Sequence, residues 1–447
     1  MTNNKGLSIF MTKTAEAEPW LVQHAFVAPP EFDFFKGPHS NILYARPGTG
    51  KTAIARALEH YARNQLKCLP VRWTPDLTLN PQSPSMELAM AQFSSILSIC
   101  ARQILEELPN DFKKRAKDDR KFDFLAEYLH RFASSEDQEF LAHKVPSPKT
   151  SLVSPATRLE TLAVELTKSM KHVGYPSGIW IIVDGLDWSS EIQRQTAVNI
   201  FRSILSTLSL FEIGNFHFKM LLPMELEREF AATSAILKER ATPSRISWDE
   251  NQLRSVIEKR LRLALDDDRV RADQIHPAEE LFAWLKACGG LSPRGWLEFF
   301  RPIFATVWEI YAAEGLRRLN KKEWVAARKR SSLHLRFDPE SSRVTVGMNS
   351  PKILSQEELA IFSYLHKNEG RYCSKCEIYN RGYLPFVAQG EGRETTSDDV
   401  FQYEDLVNTA IHRLRKSIEP LPKDPVFLTT KKDIGYRLSL QAFSEDE

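Results

Sequence analysis

The segment at residues 45–52, ARPGTGKT, constrains the fold of this chain more than any other. An apolar stretch at 41–44 precedes it, and a strong helix-forming stretch at 53–61 follows it. In such a loop the glycines let backbone N–H groups wrap around phosphate oxygens, the lysine neutralises the outer phosphates, and the hydroxyl holds Mg²⁺. The pattern predicts a strand, a nucleotide-binding loop and a helix, with nucleotide contacts from Pro47, Gly48, Thr49, Gly50, Lys51, Thr52 and Ala53.

A second buried strand is predicted at 179–183, IWIIV, and two aspartates follow it closely. Asp184 is expected to reach the metal from the next position in the sheet and to share Mg²⁺ with Thr52. Asp187 is a candidate for polarising an attacking water, although an aspartate there also suits a helix cap. Because 132 residues separate Thr52 from Asp184, we expect a helical insertion between the two motifs, at about 110–157.

The C-terminal part of the chain has a different pattern, with short strands, a capped helix and a basic hairpin. Ser355 and Glu358 have the spacing of a capping box. A helix predicted at 403–418 carries apolar residues at spacings of three and four. The stretch 426–438 is typical of a hairpin, with Lys431 and Lys432 at its tip. These elements indicate a separate domain.

Composition excludes some classes of protein. With 447 residues, 42% hydrophobic and 26% charged, the chain is long enough for two to three globular domains. Its net charge of +2 leaves any nucleic-acid surface to local basic segments. No apolar run approaches the length that spans a bilayer, so we expect a cytoplasmic protein without membrane contact. The cysteines follow no disulfide or zinc pattern, and Cys373 and Cys376 are interpreted as ordinary thiols.

The two N-terminal motifs together resemble the AAA+/STAND group of P-loop NTPases, in which an apolar strand is often followed by Asp-Gly-Leu-Asp-Glu. Here DGLD at 184–187 precedes Trp188 in place of that glutamate, and Ala45 replaces the first loop glycine. The resemblance implies ATP and Mg²⁺ as cofactors, with GTP as the alternative nucleotide, and a homo-oligomer. The departure at Trp188 implies slow hydrolysis. By position, the resemblance also implies a lid arginine that reads the γ-phosphate, Arg294, and an arginine finger, Arg240.

Residues 333–440 resemble the winged-helix DNA-binding domain of OmpR/PhoB-type response regulators, through IHRLRK at 411–416 and the hairpin after it. In that family one helix enters the major groove of duplex DNA while the hairpin contacts the backbone. The resemblance implies that the residues facing DNA are Asn408, His412, Arg413, Arg415, Lys416, Lys431, Lys432 and Arg437. Two features depart from the family, a long acidic loop at 385–401 and Asp433 where a glycine is usual.

The predicted fold class is α/β: a P-loop NTPase parallel sheet with a helical insertion and a helical lid, followed by a C-terminal winged-helix domain. The predicted boundaries are 1–222 for the core, 223–315 for the lid, 316–332 for a basic linker helix and 333–447 for the winged helix. The basic run at 317–330 is interpreted either as a set of additional phosphate contacts or as a solvated linker.

Three functions fit these features. The first is a nucleotide-switched ATPase that binds duplex DNA, of the kind used in bacterial defence or regulation, with an effector protein as a possible partner. The second is an ATPase that remodels DNA or loads other proteins onto it. The third is an ATP-gated scaffold whose winged helix binds a protein. Hydrolysis stimulated by duplex DNA favours the second, and no DNA affinity at low salt favours the third.

Overall fold

The computed structural model describes residues 8–10, 19–78, 85–147, 157–186, 188–230, 241–386 and 403–442. The chain divides into two compact units. One comprises Thr14–Ser247 and is called the sheet unit. The other combines Met1–Lys13 with Trp248–Glu447 and is called the C-terminal unit.

Five parallel strands form the centre of the sheet unit: β1 (Ser40–Ala45), β2 (Leu69–Trp73), β3 (Ile179–Val183), β4 (Phe216–Pro223) and β5 (Ala241–Arg245). Their order across the sheet is β2-β3-β4-β1-β5. Every residue of β1 and β3 is buried, as expected of parallel strands that helices cover on both faces. The predicted α/β fold class is confirmed.

Helices connect these strands and bury the apolar surface of the sheet. In the described parts of the sheet unit they are α1 (Pro19–Ala25), α2 (Glu31–Phe35), α3 (Lys51–Tyr61), α4 (Ser85–Glu107), α5 (Phe112–Asp118), α6 (Asp123–Phe132), α7 (Gln138–Lys144), α8 (Leu159–Met170), α9 (Glu191–Ser206) and α10 (Leu226–Glu229). Helices α5 to α7 lie in the predicted insertion. Their apolar residues join the core of the sheet, and the buried Tyr128 hydroxyl of α6 donates a hydrogen bond to the carbonyl oxygen of Leu97 in α4.

One expectation about apolar runs is corrected by α4. Its segment Glu87–Glu107 is long and apolar enough to cross a membrane by length and composition, although 56% of the most apolar window is buried inside the protein. Phe93 of α4, for example, packs edge-on against Phe216 of β4, with ring centroids 5.7 Å apart. The sequence analysis missed this segment because polar residues interrupt it. The apolar face of α4 packs into the hydrophobic core.

The sheet extends beyond the boundary predicted for the core at residue 222. Strand β5, ATPSR, lies in the region assigned to the lid and pairs with β1 along its length. An apolar pattern does not reveal it, because only Ala241 is buried. As an edge strand it also tolerates Pro243, whose missing N–H would interrupt a central ladder.

The C-terminal unit begins with three long helices and ends with a smaller mixed module. Its helices, where described, are α11 (Glu250–Leu265), α12 (Ala278–Gly289), α13 (Pro293–Glu314), α14 (Lys321–Lys329), α15 (Gln356–Lys367), α16 (Lys375–Glu377) and α17 (Tyr403–Ile418). The strands are β6 (Leu335–Asp338), β7 (Arg343–Val346), β8 (Lys352–Ile353), β9 (Leu428–Lys431) and β10 (Gly435–Leu438). Strands β6 to β8 form an antiparallel sheet, and β9 pairs with β10 as the predicted hairpin.

Local signals set several of these boundaries. Ser355 caps α15 and closes the predicted capping box with Glu358. Ser292 caps α13, where its hydroxyl accepts a hydrogen bond from the Gly295 N–H at 3.1 Å. Asn320 closes a further capping box at the start of α14 with Glu323. Because each cap satisfies backbone N–H groups that a helix start leaves exposed, these helices begin where the sequence places a capping side chain.

The basic run at 317–330 is largely occupied by contacts inside the C-terminal unit. Arg317 bonds to both Glu314 and Glu323, and Arg330 bonds to Glu309. Arg328 is 1% exposed. These contacts disfavour the interpretation of the run as a set of phosphate contacts, because most of its guanidinium groups already neutralise carboxylates.

Candidate nucleotide site and nucleic-acid surface

The loop between β1 and α3 has the backbone shape that phosphate binding requires. Gly48 and Gly50 have φ angles of 80° and 91°, a region that side chains with a Cβ rarely adopt. The Thr49 hydroxyl donates to the carbonyl oxygen of Arg46 at 2.7 Å and closes the turn. Helix α3 then starts at Lys51, so the first N–H groups of the helix, which lack intrahelical acceptors, point towards the loop.

The two motifs predicted to share a metal come together in space. The Thr52 hydroxyl lies 3.5 Å from Oδ1 of Asp184, and Asp184 is 1% exposed. The Lys51 ammonium lies 3.4 Å from the carbonyl oxygen of Ala45, at the end of β1. One detail of the prediction is wrong: Asp184 does not come from the neighbouring strand, because β4 lies between β1 and β3. The carboxylate nevertheless reaches Thr52 in the first turn of α3.

Arg72 of β2 contacts the same carboxylate, which the sequence analysis did not predict. Its Nη2 donates to Oδ2 of Asp184, the oxygen that does not face Thr52. The Thr74 hydroxyl donates to the backbone oxygen of Asp184 at 2.9 Å and holds the end of β3 against β2. The available signal was an arginine in LPVRW, a strand whose other residues are buried, because an arginine in such a strand usually has a charged partner.

These residues fit a magnesium ion held together with a nucleotide. A hydroxyl and a carboxylate are oxygen ligands of the kind that Mg²⁺ prefers, and Mg²⁺ usually completes its shell with water and substrate phosphates. In the described ranges no group of three or more His, Cys, Asp or Glu side chains is placed to bind a metal by itself. A metal at Thr52 and Asp184 would therefore depend on phosphate oxygens for further ligands.

The other predicted catalytic residues have different outcomes. Asp187 and Arg240 lie outside the described residues. Trp188 packs against the hydrophobic core and is partly buried, so an indole occupies the place of the glutamate that is often found there and supplies no acid or base. Arg294 is exposed in the first turn of α13, in the C-terminal unit, and no described residue bonds to it. A cation is unfavourable at this end of a helix, which leaves Arg294 suited to an anionic partner.

The predicted DNA-facing residues divide into an exposed set and a set that bonds within the module. The exposed set lies on α17 and at the hairpin tip and is called the basic face: His412, Arg413, Lys416, Lys431 and Lys432. His412 and Lys416 are four residues apart and therefore share one side of the helix. Arg413 forms an ion pair with Glu357 at 3.1 Å, although it stays 61% exposed. The basic face thus keeps several cations accessible.

Three other predicted DNA contacts bond within the module, and of these only Arg437 is buried. Asn408 accepts a hydrogen bond from the Tyr436 hydroxyl at 2.8 Å. Arg415 donates to the Leu428 carbonyl oxygen at 2.7 Å and to the Thr430 hydroxyl at 2.6 Å. Arg437 is 8% exposed, and its guanidinium lies 5.0 Å from the centre of the Tyr372 ring. The sequence pattern did not reveal these roles because their partners lie on the hairpin or on another element.

A buried carboxylate completes the junction between α17 and the hairpin. Glu419 accepts hydrogen bonds from the backbone N–H groups of Val426, Phe427 and Leu428. Burial raises the pKa of Glu419, and these N–H donors oppose that rise. Together with Arg415, Glu419 fixes the hairpin relative to α17. The basic residues of the helix and those of the hairpin tip therefore keep fixed positions relative to one another.

Among known proteins, this chain resembles some whose structures have been solved. No protein family and no curated protein matches the sequence. The similar solved structures include Cdc6p from Pyrobaculum aerophilum, which is 13% identical with a TM-score of 0.35 over 97% of this chain and 94% of that one. They also include the Aeropyrum pernix ORC2 protein in its ADP form, 13% identical with a TM-score of 0.34 over 95% and 88%. Likenesses this distant do not bear on function, which rests on the residues of the chain itself.

Proposed function

We propose that this protein is a nucleotide-switched, DNA-binding ATPase of the AAA+/STAND type. ATP with Mg²⁺ binds at the phosphate loop, and the nucleotide state governs how the basic face engages duplex DNA. The observation that carries the proposal is the convergence of Lys51, Thr52 and Asp184 beside a loop of left-handed glycines. GTP is the alternative nucleotide.

The chemistry assigned to each residue follows from its position. Backbone N–H groups of residues 48–53 hold phosphate oxygens, and Lys51 neutralises the outer phosphates. Thr52 and Asp184 hold Mg²⁺, which shields the charge that develops on the transferred phosphoryl group. Trp188 supplies no general base, and this supports slow turnover. Arg294, exposed at the start of α13, is the proposed sensor of the γ-phosphate.

The proposal for DNA rests on the exposed cations of α17 and the hairpin. A helix whose apolar side is buried and whose outer side carries His412, Arg413 and Lys416 can enter a major groove. Lys431 and Lys432 at the hairpin tip are suited to phosphate contacts. Since Asn408 and Arg415 already bond to the hairpin, the reading of base edges is proposed first for His412 and Arg413.

One crossed experiment tests both halves of the proposal. Duplex-DNA affinity is measured against salt, with and without Mg-ATP, for the parent, for Lys51→Ala and for the double variant Lys431→Ala with Lys432→Ala. Lys51→Ala should bind no ATP, and its DNA affinity should not respond to ATP. The double variant should bind ATP like the parent but bind every DNA sequence more weakly, with a salt slope flatter by about one unit per lost phosphate contact.

Each alternative function has its own outcome. If Lys51→Ala binds ATP like the parent in calorimetry, the nucleotide site is wrongly assigned. If the double variant and the parent bind DNA equally at low salt, or neither binds it, the C-terminal module contacts protein and the chain is a scaffold. If duplex DNA strongly stimulates hydrolysis, the remodelling or loading function is favoured over the switch.

A further inference from the structure

Arg72 lies between two carboxylates of the sheet unit. On one side its Nη2 donates to Oδ2 of Asp184. On the other side its Nε lies 3.9 Å from Oε1 of Glu59, in helix α3. The Arg72 side chain is 26% exposed and that of Glu59 is 20% exposed, so water screens both pairs only in part.

We propose that Arg72 is a displaceable counter-ion at the metal site. In the metal-free protein its guanidinium neutralises Asp184, and when Mg²⁺ arrives with the nucleotide the guanidinium leaves Asp184 and pairs with Glu59. This inference rests on the proposed nucleotide site. Arg72 would then compete with the metal for Asp184. This competition would set the Mg²⁺ concentration at which the nucleotide is bound.

The need for a counter-ion follows from the burial of Asp184. A carboxylate that is 1% exposed is costly to keep ionised unless a cation or several hydrogen bonds compensate for the lost water. In the described structure Arg72 provides the charge, and Thr52 contributes only a contact of 3.5 Å. Without Arg72 the buried Asp184 carboxylate would lose its ion-pair partner.

Competition follows from the shared carboxylate. A guanidinium on Oδ2 and a dication near Oδ1 of the same Asp184 would stand a few ångströms apart, where like charges repel strongly in a partly screened environment. The metal also brings the negative phosphates of the nucleotide, which the guanidinium does not. Mg²⁺ with nucleotide therefore binds Asp184 in preference to the guanidinium. When the nucleotide is absent, the guanidinium stays paired with Asp184.

Glu59 provides a destination for the released guanidinium. Its Oε1 is buried and accepts no hydrogen bond from any described residue, whereas its Oε2 accepts one from Arg56 at 3.1 Å. Moving Arg72 from 3.9 Å to hydrogen-bonding distance of Oε1 would give this oxygen a donor. Because Glu59 belongs to α3, the helix that starts at the phosphate loop, the exchange would also tighten β2 against that helix.

The test is an Mg²⁺ titration of nucleotide binding by calorimetry, together with the thermal midpoint of the nucleotide-free protein. Arg72→Gln should lower the thermal midpoint and lower the half-saturating Mg²⁺ concentration by about tenfold, the scale expected for removing one charge near a dication. Glu59→Gln should leave Asp184 paired and raise the half-saturating Mg²⁺ several-fold. Arg63→Gln is the matched control, because it breaks another arginine–carboxylate pair of the sheet unit, with Glu107, away from the site.

The outcomes separate this inference from the proposed function. If Arg72→Gln raises the half-saturating Mg²⁺, Arg72 positions the carboxylate for the metal and the proposal is overturned. If Arg72→Gln fails to fold, Glu59→Gln decides, and a half-saturating Mg²⁺ equal to that of the parent rejects the exchange. If the parent binds no nucleotide at any Mg²⁺ concentration, the proposed function itself is rejected.

Discussion

Arg328 illustrates how single residues of this protein act through contacts remote in sequence. Its Nη2 donates to Oδ2 of Asp424 at 2.6 Å, and its guanidinium lies 5.1 Å from the ring centres of both Trp284 and Trp324. The ring of His276 also stacks on Trp324, with ring centroids 3.9 Å apart. Helix α12, helix α14 and the turn before the hairpin are thus joined through one buried cation.

We expect Arg328→Ala to lower the free energy of unfolding by about 2–4 kcal/mol, because it leaves a cavity between two aromatic rings and removes two cation–π contacts. Lys329→Ala is the control on the same helix, since Lys329 is exposed, and its effect should stay within about 0.5 kcal/mol. Urea unfolding of both variants measures the difference. Equal effects of the two substitutions on the free energy of unfolding would show that Arg328 does not join these elements.

At the scale of elements, the hairpin of β9 and β10 depends on close backbone contact with the segment before α16. Cys373 and Tyr436 exchange two backbone hydrogen bonds, at 2.8 and 2.9 Å. A Cβ on Gly435, which has a φ of 142°, would lie 2.0 Å from the backbone oxygen of Cys373. Asp433, at a position where the related family usually has glycine, has a φ of 62°, a conformation that aspartate tolerates better than most residues.

We expect Gly435→Ala to destabilise the C-terminal unit by about 2–4 kcal/mol and to weaken any DNA binding through the hairpin, because the backbone must move to admit the Cβ. Gly370→Ala is a matched control. Gly370 also has a positive φ, of 79°, but open space surrounds its Cβ position, so only the conformational cost of about 1 kcal/mol applies. If thermal unfolding ranks the two variants equally, contact with Cys373 does not constrain the hairpin.

At the scale of the whole molecule, the charge balance permits self-association. The chain carries 60 Lys and Arg against 58 Asp and Glu, a net charge of +2, so long-range repulsion between copies is weak. The predicted arginine finger, Arg240, needs a partner subunit for its chemistry. Assembly would supply one through a neighbouring copy of the chain.

We therefore expect sedimentation velocity to show a larger species with Mg-ATP than without nucleotide, and no such increase for Lys51→Ala. Slow ATP turnover in the assembled form would fit the switch, and duplex DNA should then change assembly more than turnover. The control is the parent with ATP and a chelator of Mg²⁺, which should behave like the nucleotide-free protein. A parent that sediments identically in every nucleotide state would reject the predicted oligomer.

The sequence by itself determined the features that depend on neighbouring residues. It identified the phosphate loop and placed α17 with the same bounds as the structure, Tyr403–Ile418. It also identified the capping box at Ser355 and the hairpin with Lys431 and Lys432. These predictions agree with the structure because backbone φ preference, capping and hydrophobic periodicity act within a few residues along the chain.

Only the tertiary structure decided which side chains meet across the fold. It inserted β4 between β1 and β3, added β5 as an edge, and brought Arg72 to Asp184 over 112 residues of sequence. It also turned Asn408, Arg415 and Arg437 towards the module while His412 and Lys416 stayed exposed. A cation has the same local pattern whether it meets a carboxylate, an aromatic ring or water, so its role is settled by the elements that pack beside it.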